Sequence, residues 1–181
     1  REFSLCLGKS VMNLYPEYEL TPEKLVQIGW ASSLHDIGKI AISDSIILKP
    51  GKLTPDEFEL IKSHTTKGSE IIQHRIRLND RAIYEYAYDI ARHHHEKYDG
   101  KGYPDGLKGD EISIAAQIVS LVDVYDALTS KRVYKDAYEP DTAFQMILNG
   151  HSGTFSPKLL KAFAEVRSEI ERLLSMYPDE E

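Results

Sequence analysis

The 181-residue sequence contains one cysteine, Cys6. A single thiol excludes an internal disulfide framework and a cysteine-based zinc site, and it suits a reducing cytoplasm. No run of about 18 uninterrupted apolar residues occurs, so no membrane-spanning helix is expected. Residues 1–20 lack the basic start, apolar stretch and cleavage pattern of a signal peptide. Positive charge is also short: 22 Lys and Arg face 29 Asp and Glu, a formal net charge of −7. A broad nucleic-acid footprint, which needs a basic face, is therefore not expected, and DNA is excluded as a partner. A small anionic substrate would need local cations, either bound metals or a few placed Lys and Arg. Period-2 alternation, internal repeats, low-complexity tracts and linkers are missing too. The remaining composition, 41% apolar and 28% charged, is that of one folded domain.

Helical periodicity runs through nearly the whole chain. Phe3, Leu7, Val11 and Leu14 share a face, and Tyr15-Pro16 ends that run. Thr21-Pro22 and Ser156-Pro157 read as a cap followed by proline at the first helical position. Thr54-Pro55-Asp56-Glu57 has the form of a capping box. Phe58, Ile61, His64 and Gly68 follow on one face. Residues 40–52 show no helical period. A helix is expected from Asp80 to about His95, with Ile83, Ala87, Ile90 and His94 inward. Residues 96–111, with four glycines and Pro104, read as a long structured loop. Ala116, Val119, Asp123 and Ala127 define the next helix, and Asp141 is expected to cap the one after. Leu160, Phe163, Val166, Ile170 and Leu173 share one face of a last helix. The expected fold is all-α, with seven or eight helices and no significant sheet.

Several of these apolar stripes carry a polar group: His35, His64, His94 and Asp123, with Asp36 and His95 adjacent. Burying such a group alone costs about 2–7 kcal/mol, so buried charges normally pair or bind metal. If the four stripes converge, imidazoles and carboxylates without thiolates suit Fe, Mn, Zn, Ni or Co better than Ca or Mg. On a helix, His35 and Asp36 would point about 100° apart and could serve two ions, with the Asp36 carboxylate bridging them. Two ions about 3.5–4 Å apart can neutralise a phosphoryl transition state. Lys39, one turn after His35, would face an anion there.

The block Leu34-His35-Asp36-Ile37-Gly38-Lys39-Ile40, followed by Leu48-Lys49-Pro50-Gly51-Lys52-Leu53-Thr54, resembles the HD-GYP family of metal-dependent phosphohydrolases. So do His94-His95-Glu96-Lys97-Tyr98-Asp99-Gly100-Lys101-Gly102-Tyr103-Pro104 and Val122-Asp123-Val124-Tyr125-Asp126-Ala127-Leu128-Thr129-Ser130 with Arg132, Tyr134 and Lys135. The three blocks keep the family order, and the resemblance covers almost the whole chain, so residues 1–181 are expected to form one HD-type helical bundle. The resemblance implies hydrolysis of cyclic di-GMP, a bacterial second messenger, to linear pGpG and onward to GMP. It implies two divalent ions, iron or manganese, with a third left open. The matching metal positions are His35, Asp36, His64, His94, His95 and Asp123, with Asp36 as the bridge. Lys39, Arg132 and Lys135 match phosphate contacts. Tyr103 belongs to the signature loop, and Tyr103 and Tyr134 are candidates to face a purine. The Gly102-Tyr103-Pro104 loop is the expected contact for diguanylate cyclase domains, and an oligomer is left open.

The family usually has a further metal-binding histidine well before the HD pair. None precedes His35 here. The expected position falls upstream of Arg1, so the first helix is expected to be truncated at its N-terminus. His93 is read as a non-ligand, and His74 and His151 match no family position. Asp126 is read as a cap or as a partner of Lys131 or Arg132. Glu96 is read either as orienting a ligand histidine through its other ring nitrogen or as a solvated loop residue. Two rivals to the enzyme remain: a binding module that kept the fold, and an HD-type phosphohydrolase for another nucleotide.

Overall fold

The computed structural model describes residues 1–76, 80–130 and 137–176. Among these residues the only regular elements are helices. They are α1 (Glu2–Leu14), α2 (Pro22–Ser32), α3 (Asp44–Ile47), α4 (Pro55–Lys62), α5 (His64–Arg75), α6 (Arg81–His93), α7 (Ile114–Thr129), α8 (Pro140–Leu148), α9 (Pro157–Glu165) and α10 (Arg167–Met176), with short 3-10 turns at 16–18, 37–41 and 109–111.

The all-α expectation holds, but the chain is cut more finely than periodicity suggested. The stripe from Phe58 to Gly68 is two helices. Ser63 Oγ donates to Leu60 O at 2.5 Å, and the Ser63 amide is shared between Glu59 and Leu60 carbonyls at 3.3 and 3.2 Å. Such local bonding competes with the helical ladder and bends the chain. The last stripe is likewise divided at Val166, whose amide closes a tighter turn on Phe163 O. Residues 40–52 contain the single-turn helix α3.

The capping expectations fare well where a proline follows the cap. Thr21 Oγ1 accepts from Lys24 N, Ser156 Oγ accepts from Leu159 N, and Thr54 and Glu57 bond reciprocally. Asp141 is a correction: Glu139 occupies the cap position of α8 without a side-chain bond, and Asp141 instead pairs with Arg167 at 2.7 Å.

Helix α7 is apolar on most of its surface and is therefore the central element. Its Ile118, Leu121, Tyr125 and Leu128 join α1, α8, α9 and α10 in one core around Leu7, Val11, Phe144, Ile147 and Phe163. Its Ala115 and Val119 join a second core with Leu25, Ile28, Ile72, Ala87 and Ile90 from α2, α5 and α6. Each fully buried Leu, Ile or Phe contributes on the order of 1.5–3 kcal/mol, so α7 is held from both sides.

The 37–41 turn lies against the start of α5. A Cβ placed on Gly38 would stand 1.9 Å from His64 O and 2.5 Å from Gly68 N. Only glycine permits that approach, and it brings the segment carrying His35 and Asp36 against His64.

Candidate metal centre

The six expected ligand positions come from four separate parts of the fold. His35 and Asp36 sit in the turn between α2 and the 37–41 segment, not on a helix as their spacing suggested. His64 opens α5, His94 caps the end of α6, His95 follows it, and Asp123 lies in α7.

Their side chains meet as two groups. His64, His94 and His95 form one, and His35, Asp36 and Asp123 form the other; within each, one ligand atom per residue lies within 4.8 Å of the others. Asp36 stands between them. Its Oδ1 is 3.5 Å from His64 Nε2 and 3.9 Å from His94 Nε2, while its Oδ2 is 3.3 Å from His35 Nε2. His35 Nε2 is also 3.4 Å from Asp123 Oδ1. A cleft of about 140 Å³, lined by residues including Ser32, His35, Val119, Asp123 and Asp126, opens onto the second group. A larger cleft, about 530 Å³, lies between α1 and α10 and contains neither group.

The hydrogen bonds decide which ring nitrogens face inward. His35, His64 and His94 each donate Nδ1–H to a backbone carbonyl, Ser32 O at 2.8 Å, Ile61 O at 2.6 Å and Ile90 O at 2.9 Å. In a neutral ring this leaves Nε2 as a lone pair. Burial holds His64 below its usual pKa. Burial, and then the repulsion that charge on the neighbouring His95 and His35 rings would bring, push His94 down to about 3. Burial and His64 push His95 down to about 4. These rings are therefore neutral near pH 7.

The Nε2 atoms of His64 and His94 nevertheless face each other at 3.4 Å. Two lone pairs at that distance repel unless a cation lies between them. Asp36 Oδ1, which points at the same place, is buried with no hydrogen-bond partner among the described residues. A buried carboxylate oxygen left bare costs several kcal/mol. These convergent acceptors are a donor set that fits a divalent ion.

The second group has the opposite balance. Burial opposes charge on His35, but hydrogen bonds to Asp123 and Asp36 outweigh it and raise its pKa to about 10. Burial alone would raise both carboxyls. The His35 cation outweighs it for Asp123, and His35 with Lys39 for Asp36, so both stay below their ordinary range. A proton on His35 thus occupies the place of positive charge that an ion would take.

Lys39 Nζ lies 2.6 Å from Asp36 Oδ2 and is half exposed, beside the cluster as the sequence suggested. Tyr103 stacks on His95, centroids 4.9 Å apart and planes 26° apart. Burial raises the Tyr103 hydroxyl above its usual range, so it stays protonated. Arg132, Tyr134 and Lys135 lie outside the described residues, as does Lys131.

Glu96 corrects both sequence readings. It is 4% exposed and bonds no histidine ring; its Oε1 accepts from the amides of Asp105 and Gly106 at 2.7 and 3.0 Å. Sequence reasoning also missed the surroundings of His93. Nδ1 meets Asp89 Oδ1 at 2.7 Å, Nε2 meets Asp105 Oδ2 at 3.0 Å, and Arg92 grips both Asp105 oxygens. The Asp89–His93 spacing of one helical turn was the available signal.

The HD domain family matches residues 7–159. The chain belongs to that family. As an HD domain it is 43% identical over 153 residues to the "Probable cyclic di-GMP phosphodiesterase" of Vibrio cholerae, covering 83% of this chain and 35% of the relative. It is 41% identical over 157 residues to the "Cyclic di-GMP phosphodiesterase" of Thermotoga maritima, covering 87% of this chain and 42% of the relative. It is also 38% identical to the "3'3'-cGAMP-specific phosphodiesterase 2" of Vibrio cholerae, covering 90% of this chain and 30% of the relative. The chain thus spans roughly a third of the length of these curated relatives. Among solved structures, Bd1817, an HDG"Y"P protein from Bdellovibrio bacteriovorus, superposes with a TM-score of 0.63 at 19% identity, over 92% of this chain and 51% of that one. That likeness supports the all-α HD fold. No helix among the described residues is long and apolar enough to cross a membrane.

Proposed function

We propose that this HD domain is a metal-dependent phosphodiesterase that opens cyclic di-GMP to pGpG in the cytoplasm, with residues 1–181 forming the catalytic domain. The observation that carries the reading is the shared Asp36 carboxylate, with two groups of ligand atoms at its two ends. One ion would be held by His35, Asp36 and Asp123, and a second by Asp36, His64, His94 and His95. The mixed nitrogen and oxygen donors, without thiolate, favour iron or manganese.

Two such ions, when bound, supply Lewis-acid charge for the attacking and leaving oxygens of an in-line displacement at phosphorus. The protein's own part is positioning. The three Nδ1–H bonds to backbone carbonyls fix the ring planes, so that the Nε2 lone pairs of His64 and His94 are aimed before anything binds, and Nε2 of His35 is aimed and yields its lone pair when its proton leaves. Lys39 sets an ammonium beside Asp36, where it offsets charge on a phosphoryl oxygen. Tyr103 covers His95 and offers a flat protonated ring beside a purine. Arg132 and Lys135 complete the reading as phosphate contacts. One water is consumed per diester, one P–O bond breaks, and the departing ribose oxygen leaves with a proton.

A second substrate, 3'3'-cGAMP, is favoured by the Vibrio cholerae relatives named for it and shares the phosphodiester chemistry. Incubation of the Mn²⁺-loaded and Fe²⁺-loaded protein with each dinucleotide, followed by product chromatography, tests the reading. Linear pGpG from cyclic di-GMP is the expected product. A protein that binds both ions and the dinucleotide but cleaves neither substrate would be a binding module instead.

A further inference from the structure

His95 differs from the other three candidate histidine ligands. Among the described residues its ring makes no hydrogen bond, whereas His35, His64 and His94 are each tied to a backbone carbonyl. The His95 ring packs among three others, His94 at 4.1 Å, His64 at 5.0 Å and Tyr103 at 4.9 Å between centroids; Tyr103 is the one stacked near-parallel on it and the one that is not itself a candidate ligand. The Tyr103 amide also donates to His95 O at 3.3 Å. The orientation of one ligand therefore depends on the position of a loop.

That loop is held at three points. Gly102 is pressed against Glu96 and Lys97, where a Cβ would stand 2.3 Å from Lys97 N and 2.4 Å from Glu96 Cα. The buried Glu96 Oε1 collects the amides of Asp105 and Gly106, directly after Tyr103-Pro104. The Asp105 carboxylate is gripped from outside by Arg92 at 2.7 and 2.8 Å and by His93 at 3.0 Å. His93 is braced on Asp89, and Asp89 Oδ2 accepts from Ser113 Oγ, the cap of α7. The clamp thus joins the end of α6 to the start of α7, the helix that carries Asp123.

We propose that Glu96 and Asp105 are positioning residues that hold the Tyr103 ring against His95 and so set the affinity of the His64–His94–His95 ion position. The proposal rests on the metal-centre reading above. Neither residue touches the ion or the substrate. Their effect passes through the loop backbone, so it falls on one ion position and spares the other.

Mn²⁺ titration of the metal-free protein, with free Mn²⁺ followed by electron paramagnetic resonance, counts the two binding steps. Glu96→Ala should weaken one step by about tenfold or more and leave the other within about twofold, the size found when supporting groups around ligands are removed. Glu96→Gln should restore that step, because its amide oxygen still accepts both backbone amides. Asp105→Ala acts from the surface and should keep full helix content by circular dichroism while weakening the same step. The proposal is overturned if Glu96→Ala and Asp105→Ala bind like wild type, if both steps weaken together, or if Gln fails to rescue. Wild-type protein that takes up no Mn²⁺ overturns the metal-centre reading itself, and the proposal with it, and so separates the two failures.

Discussion

Binding of an ion by His35, Asp36 and Asp123 should expel a proton from His35 well into the alkaline range. The carboxylates of Asp36 and Asp123, at 3.3 and 3.4 Å, hold its pKa near 10, against about 6.5 for a free imidazole. At pH 7 the displacement spans 3 pH units and costs about 4 kcal/mol, so apparent affinity at this position should rise about tenfold per pH unit between 7 and 9. Calorimetry at saturating Mn²⁺ in buffers of different ionisation enthalpy counts the protons released. Wild type should release about one proton more than His35→Gln at pH 8, where an ordinary imidazole would contribute only about 0.03. The sign for folding is fixed by the same shift. The folded pKa lies above the unfolded one, so the stabilisation of the metal-free protein is complete below about pH 6.5 and is lost as pH rises towards 10. No difference in proton count between wild type and His35→Gln at pH 8 would refute this account of the His35 cluster.

Gly38→Ala should lower thermal stability severely, by roughly 4 kcal/mol or more, or prevent folding, because its Cβ would collide with His64 O and Gly68 N. Gly109→Ala, with open space but a φ of +62°, should cost only about 1–2 kcal/mol, and urea unfolding of the two variants measures the difference. Tyr125→Phe should be neutral or stabilising by up to about 1 kcal/mol, since its buried hydroxyl has no hydrogen-bond partner among the described residues and burial pushes its pKa up to about 12. Lys39→Met should keep its metal content while losing turnover at saturating substrate; unchanged kcat would remove Lys39 from the chemistry.

Much of the architecture was legible because local signals and burial agree. The Thr21, Thr54 and Ser156 caps each precede a proline, and α7 is apolar enough to be central. The breaks at Ser63 and Val166 were not legible, because the apolar stripe continues across a bend and periodicity does not register one. The polar residues on apolar stripes pointed to His64, His94 and Asp123. The approach of His35 and Asp36 to His64 depends on Gly38 packing against α5, a long-range contact that no spacing encodes. Glu96 was misread for a related reason. Its partners are amides nine and ten residues on, visible only once the loop is closed.

The most direct measurement is metal content. After purification with Mn²⁺ or Fe²⁺ present, wild type should carry about two ions per chain, as expected for a two-metal site. Asp36→Ala, which removes the one carboxylate facing both groups, should lose both ions with its helix content intact. Full metal loading of Asp36→Ala, or a wild-type protein that retains no ion, would contradict the account.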